Sequence, residues 1–177
     1  MPSPQLHYGA TAKVFHWAIV ALLAVQLPLG WLMPDVKRGM SPGSAMSLHI
    51  SFGITILTLI VLRFVWRLTH PVAPESHLPA WQRVSSELVH RLLYLAVLAT
   101  TLTGWMFESA RGWTIYLYGI LPLPRLVGDG SPVGQDIGRW HSTAVWVLVT
   151  LVSFHVLAAF VHLWVYRDRV MYRMLPG

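Results

Sequence analysis

The chain has 177 residues, of which 55% are hydrophobic and only 11% charged, a balance too apolar for a soluble domain of this size. It contains no cysteine, which excludes disulfides, iron–sulfur clusters, thiolate zinc sites and covalently attached c-type haem. The formal charge of +6 comes from basic residues at the ends of apolar stretches rather than along one stripe, so it reports membrane topology and argues against a nucleic-acid partner.

Four stretches are long and apolar enough to cross a hydrocarbon core about 30 Å thick, and they predict an all-α integral membrane four-helix bundle, a single domain over residues 1–177. The first runs from about 14 to 33. It is too long for a secretory signal, lacks a small-residue cleavage site and carries His16, so it is expected to be retained. The second runs from about 48 to 66 after Pro34, Pro42 and Gly43. The third spans about 88–107 after Pro71, Pro74 and Pro79, and the fourth about 140–166. Between the last two lies the longest connection, whose segment GWTIYLYGIL reads as a short helix along the membrane interface. No internal repeat, low-complexity tract or second domain is detectable.

Four spans put both termini and the 67–87 loop on one side. Eight basic residues fall there (Lys13, Arg63, Arg67, Arg83, Arg91, Arg167, Arg169 and Arg173) against five opposite (Lys37, Arg38, Arg111, Arg125 and Arg139), which predicts cytoplasmic termini.

The fourth stretch carries no charged residue between Arg139 and Arg167, yet holds His141 and His155. Fourteen residues of helix place the two imidazoles roughly 21 Å apart in depth and within about 40° of one face. They are too far apart to share one metal ion, and an intramembrane histidine is costly unless it has a partner. The up-and-down topology supplies partners: His16 falls at the depth of His155 on the inner side, and His49 at the depth of His141 on the outer side. Each pair offers two neutral imidazole nitrogens to opposite faces of a macrocycle, the ligation of a six-coordinate electron-transfer haem. The sequence therefore predicts two haems, held non-covalently. Zinc is disfavoured, because a closed site needs about four ligands and these helix centres offer no carboxylate or thiolate. His7, His70 and His77 read as interfacial residues.

Gly30 follows His16 by fourteen residues and Gly104 follows His90 by fourteen, so both return to the depth of the outer pair, with Gly53 one turn after His49. These glycines make room either for a haem ring or for close helix packing. Arg63, fourteen residues after His49, either neutralises a haem propionate or snorkels to headgroups.

The ordered set FHW, LHISFGI, HRLLYL, RWHS, FHVLAAFVHLWVYRD and RMLP resembles the bacterial cytochrome b561 family over essentially the whole chain. The resemblance implies four helices holding two b haems, assigns His16, His49, His141 and His155 as ligands, and implies residence in the bacterial inner membrane with lipid around it. It further implies electron exchange with quinone. Small free-standing members act as superoxide oxidases that reduce ubiquinone, and larger relatives serve as cytochrome subunits of hydrogenases or dehydrogenases. The compact length and RMLP end match the first kind. Two alternatives are a cytochrome subunit with a dehydrogenase or hydrogenase partner, and a non-catalytic haem-binding membrane protein.

Within that frame His162, seven residues beyond His155, is a candidate to bond a quinone carbonyl and deliver its proton, as are His90, Arg91 and Tyr94 on helix 3; lipid headgroup contact is the other reading. On the outer side Lys37, Arg38 and Arg139 flank a superoxide entrance, and Trp140 is either at the haem edge or an ordinary interfacial tryptophan. Asp35, Glu108, Asp129 and Asp136 leave that face a net charge of only about +1, so steering is weak.

Overall fold

The computed structural model describes residues 8–36, 40–73 and 78–175. Lys37, Arg38, His7 and His77 lie outside them. The chain is an all-α membrane bundle of four helices, α1 (Ala10–Leu32), α2 (Ser44–Thr69), α3 (Ala80–Ala110) and α4 (Gly134–Val161), each long and apolar enough to span. All four begin before their hydrophobic stretches, α3 and α4 by the most. α3 starts eight residues before 88, through the polar run AWQRVSSE, and α4 starts six before 140. Hydropathy locates the lipid, whereas helix propensity does not stop at the headgroups.

Helices adjacent in sequence pack side by side, α1 on α2, α2 on α3 and α3 on α4. Both termini therefore lie at one end, here the termini end, and the α1–α2 and α3–α4 connections lie at the hairpin end. At the middle of the bundle sit Ile19, Ile56, Ile60, Ala96, Val97 and Leu148, with Ile56 and Leu148 each only 1% exposed. Several hydroxyls inside the spans are satisfied locally, as where Thr58 donates to the Ile54 carbonyl and Ser153 to that of Val149.

The connection between α3 and α4 differs from the expected interfacial helix. It forms a hairpin of β1 (Ile115–Leu117) and β2 (Leu121–Leu123), paired Ile115 to Leu123, Tyr116 to Pro122 and Leu117 to Leu121. Tyr118 and Gly119, left-handed at φ 51° and 73°, are the central residues of a turn that the Ile120 N–H closes on the Leu117 carbonyl. Pro122 and Pro124 cannot continue a helix, and the alternating aromatic and β-branched residues before them favour a strand. Composition alone did not distinguish these outcomes.

Past α4, one π-helical turn (His162–Tyr166) ends at Arg167, whose φ of 52° reverses the chain. A 3-10 turn (Met171–Arg173) follows, and Trp17 on α1 donates its indole N–H to the Met174 carbonyl at 2.8 Å.

Candidate functional site

Two histidine pairs meet inside the bundle. His16 on α1 and His155 on α4 have ring centres 6.3 Å apart toward the termini end, and His49 on α2 and His141 on α4 stand 6.4 Å apart toward the hairpin end. With a metal–imidazole bond of about 2 Å and roughly 1 Å more to each ring centre, two imidazoles trans on one iron stand about 6 Å apart, so both separations fit. Among the described residues no group of three or more His, Cys, Asp or Glu would enclose a bare metal ion. The apolar core containing Ile56 and Leu148, each seven residues past a hairpin-end histidine, lies between the two levels.

The hairpin-end pair is held by neighbours of matching design. A Cβ on Gly30 would stand 2.8 Å from Cε1 of His49, and one on Gly104 would stand 3.0 Å from Cε1 of His141. These two glycines thus admit the edges of the imidazoles themselves. Gly53 instead faces the Gln26 amide, 3.5 Å from a Cβ built there. His141 donates its Nδ1–H to the Thr100 carbonyl at 2.9 Å, which leaves Nε2 as the free nitrogen a metal requires. At the corresponding place on α1, Gln26 donates its amide to the His49 carbonyl at 2.9 Å.

These correspondences expose a repeat that sequence inspection misses. Within single helices the spacings match, His16, Gln26 and Gly30 of α1 with His90, Thr100 and Gly104 of α3, and His49 and Arg63 of α2 with His141 and His155 of α4, while the connections between the helices differ in length. The repeat is nearly exact at the hairpin end and broken at the other, where Arg63 stands in place of a histidine.

At that broken end His90 lies 5.2 Å from His155 between ring centres, closer than His16, and donates its Nδ1–H to the Ser86 carbonyl at 2.7 Å. It therefore sits at the level of the ligand pair. Arg63 donates to the Tyr94 hydroxyl at 3.0 Å and to the Ala12 carbonyl at 3.5 Å, tying α2 to α3 and α1. Arg91 is not drawn into this group: it pairs with Glu87 at 2.5 Å, its side chain 72% exposed. His162 stands apart, nearer the chain's end, and donates Nδ1–H to the Asp168 carboxylate at 2.6 Å across the π turn.

A profile of the prokaryotic cytochrome b561 family matches residues 7–177. The chain belongs to that family. It is 27% identical to cytochrome b561 homolog 2 of Escherichia coli K12, over 95% of this chain and 90% of that protein. It is 25% identical to a probable superoxide oxidase CybB of Yersinia pestis, over 96% of each, and 26% identical to cytochrome b561 homolog 1 of E. coli K12, over 96% and 97%. Membership makes this a multi-pass membrane protein of haem b electron transfer.

At the hairpin end, several described charges are paired. Arg139 pairs with Asp136 on an exposed surface, and Trp140 is 57% exposed. The buried Glu108 stands 3.6 Å from Arg111, whose guanidinium lies 4.1 Å above the Trp113 ring and donates to the Val36 carbonyl. Sequence reading missed Gln26, Thr100 and Asp168. Gln26 carried a signal, being the lone amide inside an apolar stretch. Thr100 carried none, because the group it uses is its main-chain carbonyl.

Proposed function

We propose that this chain is a superoxide:quinone oxidoreductase of the bacterial inner membrane that works through two b haems, one on His49 and His141 and one on His16 and His155. The observation that carries the reading is one ring separation, 6.3 and 6.4 Å, repeated at two depths in a family of b cytochromes. Haem b supplies a one-electron couple whose potential the protein tunes. The four histidines would hold the two haems, two at each level; the bonded Nδ1 of His141 orients its ring, and the apolar layer around Ile56 and Leu148 separates the levels.

Superoxide yields one electron and becomes dioxygen, which asks no proton of the protein. Arg139 and Trp140 are the candidate approach from the periplasmic side, with Lys37 and Arg38 of the α1–α2 connection, outside the described residues, as further candidates. Conversion of ubiquinone to quinol takes two electrons and two protons. His162, its Nδ1–H engaged by Asp168, would donate to a quinone carbonyl from Nε2 in its protonated form; the Tyr94 hydroxyl, which accepts from Arg63, keeps its O–H to donate, and His90 stands beside His155, with Arg63 available to a propionate. The excess of basic residues at the termini end supports cytoplasmic termini. The likeness to the Yersinia protein supports superoxide as donor.

The test is reduction of the purified chain by a superoxide generator with no partner present, followed by reoxidation with ubiquinone. Added salt should slow reduction only slightly, given the near-balanced surface. A chain carrying its haems that superoxide leaves oxidised, but that a copurifying dehydrogenase or hydrogenase reduces at once, is a cytochrome subunit instead.

A further inference from the structure

The hairpin between α3 and α4 reaches deeper than a surface loop. The Tyr118 N–H donates to Ser51 Oγ at 2.9 Å, and its hydroxyl bonds that of Thr55 at 2.8 Å, while its ring meets the edge of Phe52. Ser51 and Thr55 follow His49 along α2, roughly 3 and 9 Å further toward the termini end. Both lie within the apolar stretch 48–66. The turn therefore sits beside a membrane span at the level of a haem-ligand candidate.

Its chemistry suits that depth. No charged residue occurs from Gly112 to Pro124, and arginines bracket the run. Arg125 clasps the base by donating to the Gly112 carbonyl at 2.7 Å, and Arg111 donates to that of Val36. Trp113 and Trp105 sit at the same base, their indoles bonded to the Met40 and Pro124 carbonyls. Arginine and tryptophan at the base, with Tyr116, Ile120 and Leu121 toward the tip, is the order of groups met on passing from headgroups into acyl chains. Ile120 is 84% exposed and Leu121 54%. In hydrocarbon, irregular backbone needs internal partners. Ile120 N–H donates to the Leu117 carbonyl, Tyr118 N–H is taken by Ser51 in place of water, and Pro122 has no N–H to expose.

We infer that residues 112–124 form a re-entrant hairpin whose Tyr116, Ile120 and Leu121 face contacts lipid acyl chains at the depth of the His49–His141 pair. The proposal is independent of what the chain oxidises. Because the chain has no cysteine, Ile120→Cys gives a unique thiol for an environment-sensitive fluorophore on the full haem-loaded chain in phosphatidylcholine vesicles. Gly128→Cys, in the exposed loop with no neighbour within 4 Å of its Cβ, is the aqueous control. The Ile120 label should be quenched several-fold more by an acyl-chain nitroxide lipid than by aqueous iodide, and the Gly128 label the reverse. Leu121→Cys repeats the measurement should Ile120→Cys fail to fold. Iodide quenching at the tip equal to that at Gly128 would place the hairpin in water and overturn the proposal. Protection from both quenchers would mean that protein, a second copy or a partner, covers the tip, and would overturn it equally.

Discussion

Gly30 and His49 are fitted to one another: a Cβ on residue 30 would stand 2.8 Å from the imidazole Cε1, closer than real Cβ contacts come. Gly30→Ala should therefore displace the ring, at an overpacking cost of about 1–3 kcal/mol, and Gly30→Val should displace it further. The expected readout is a shifted or diminished low-spin signal from the hairpin-end haem alone. Gly104→Ala, at 3.0 Å from Cε1 of His141, should act in the same direction more mildly, and Gly128→Ala should do nothing. An unchanged spectrum in Gly30→Val would show that the ring does not need that space.

The two pairs predict two non-covalent haems per chain, extractable by acidic acetone. His16→Ala or His155→Ala should remove the termini-end haem, and His49→Ala or His141→Ala the other, each lowering the content to about one per chain with both axial ligands of the survivor intact. A fully loaded wild-type chain with a single haem contradicts the pairing.

His90 tests the choice of ligand at the broken end of the repeat. Its ring centre, 5.2 Å from that of His155, is too near for an iron between the two, whereas His16 at 6.3 Å is not. His90→Ala should keep both haems, and His16→Ala should lose one. The opposite result would hand the axial position to His90.

Asp168 fixes which nitrogen of His162 is left free, so the pair should behave as a unit in quinone reduction. His162→Ala should leave haem content unchanged and slow reoxidation by ubiquinone roughly 10²-fold or more, the scale of a lost general acid. Asp168→Asn should give a smaller loss in the same step. Haem loss in His162→Ala would reveal a misassigned ligand, and unchanged quinone kinetics in stopped-flow would leave the pair a clasp for the π turn.

Much of this protein is written along single helices. Apolar runs about 20 residues long fix the spans, their even number fixes that the termini share an end, and a spacing of fourteen fixes that His141 and His155 lie on one face at two depths, because a helix is rigid and its rise constant. What lies between helices depends on distances that no one helix contains. Only the packing decided that Gly30 and Gly104 receive imidazole edges, that Thr100 offers its carbonyl to His141, and that Arg91 turns to Glu87 while its neighbour His90 approaches His155. The hairpin was illegible for a related reason: an uncharged aromatic run suits an interfacial helix and a membrane-dipping hairpin alike. The left-handed turn at Tyr118 and Gly119 and the bonds from Tyr118 to Ser51 and Thr55 on α2 select a hairpin.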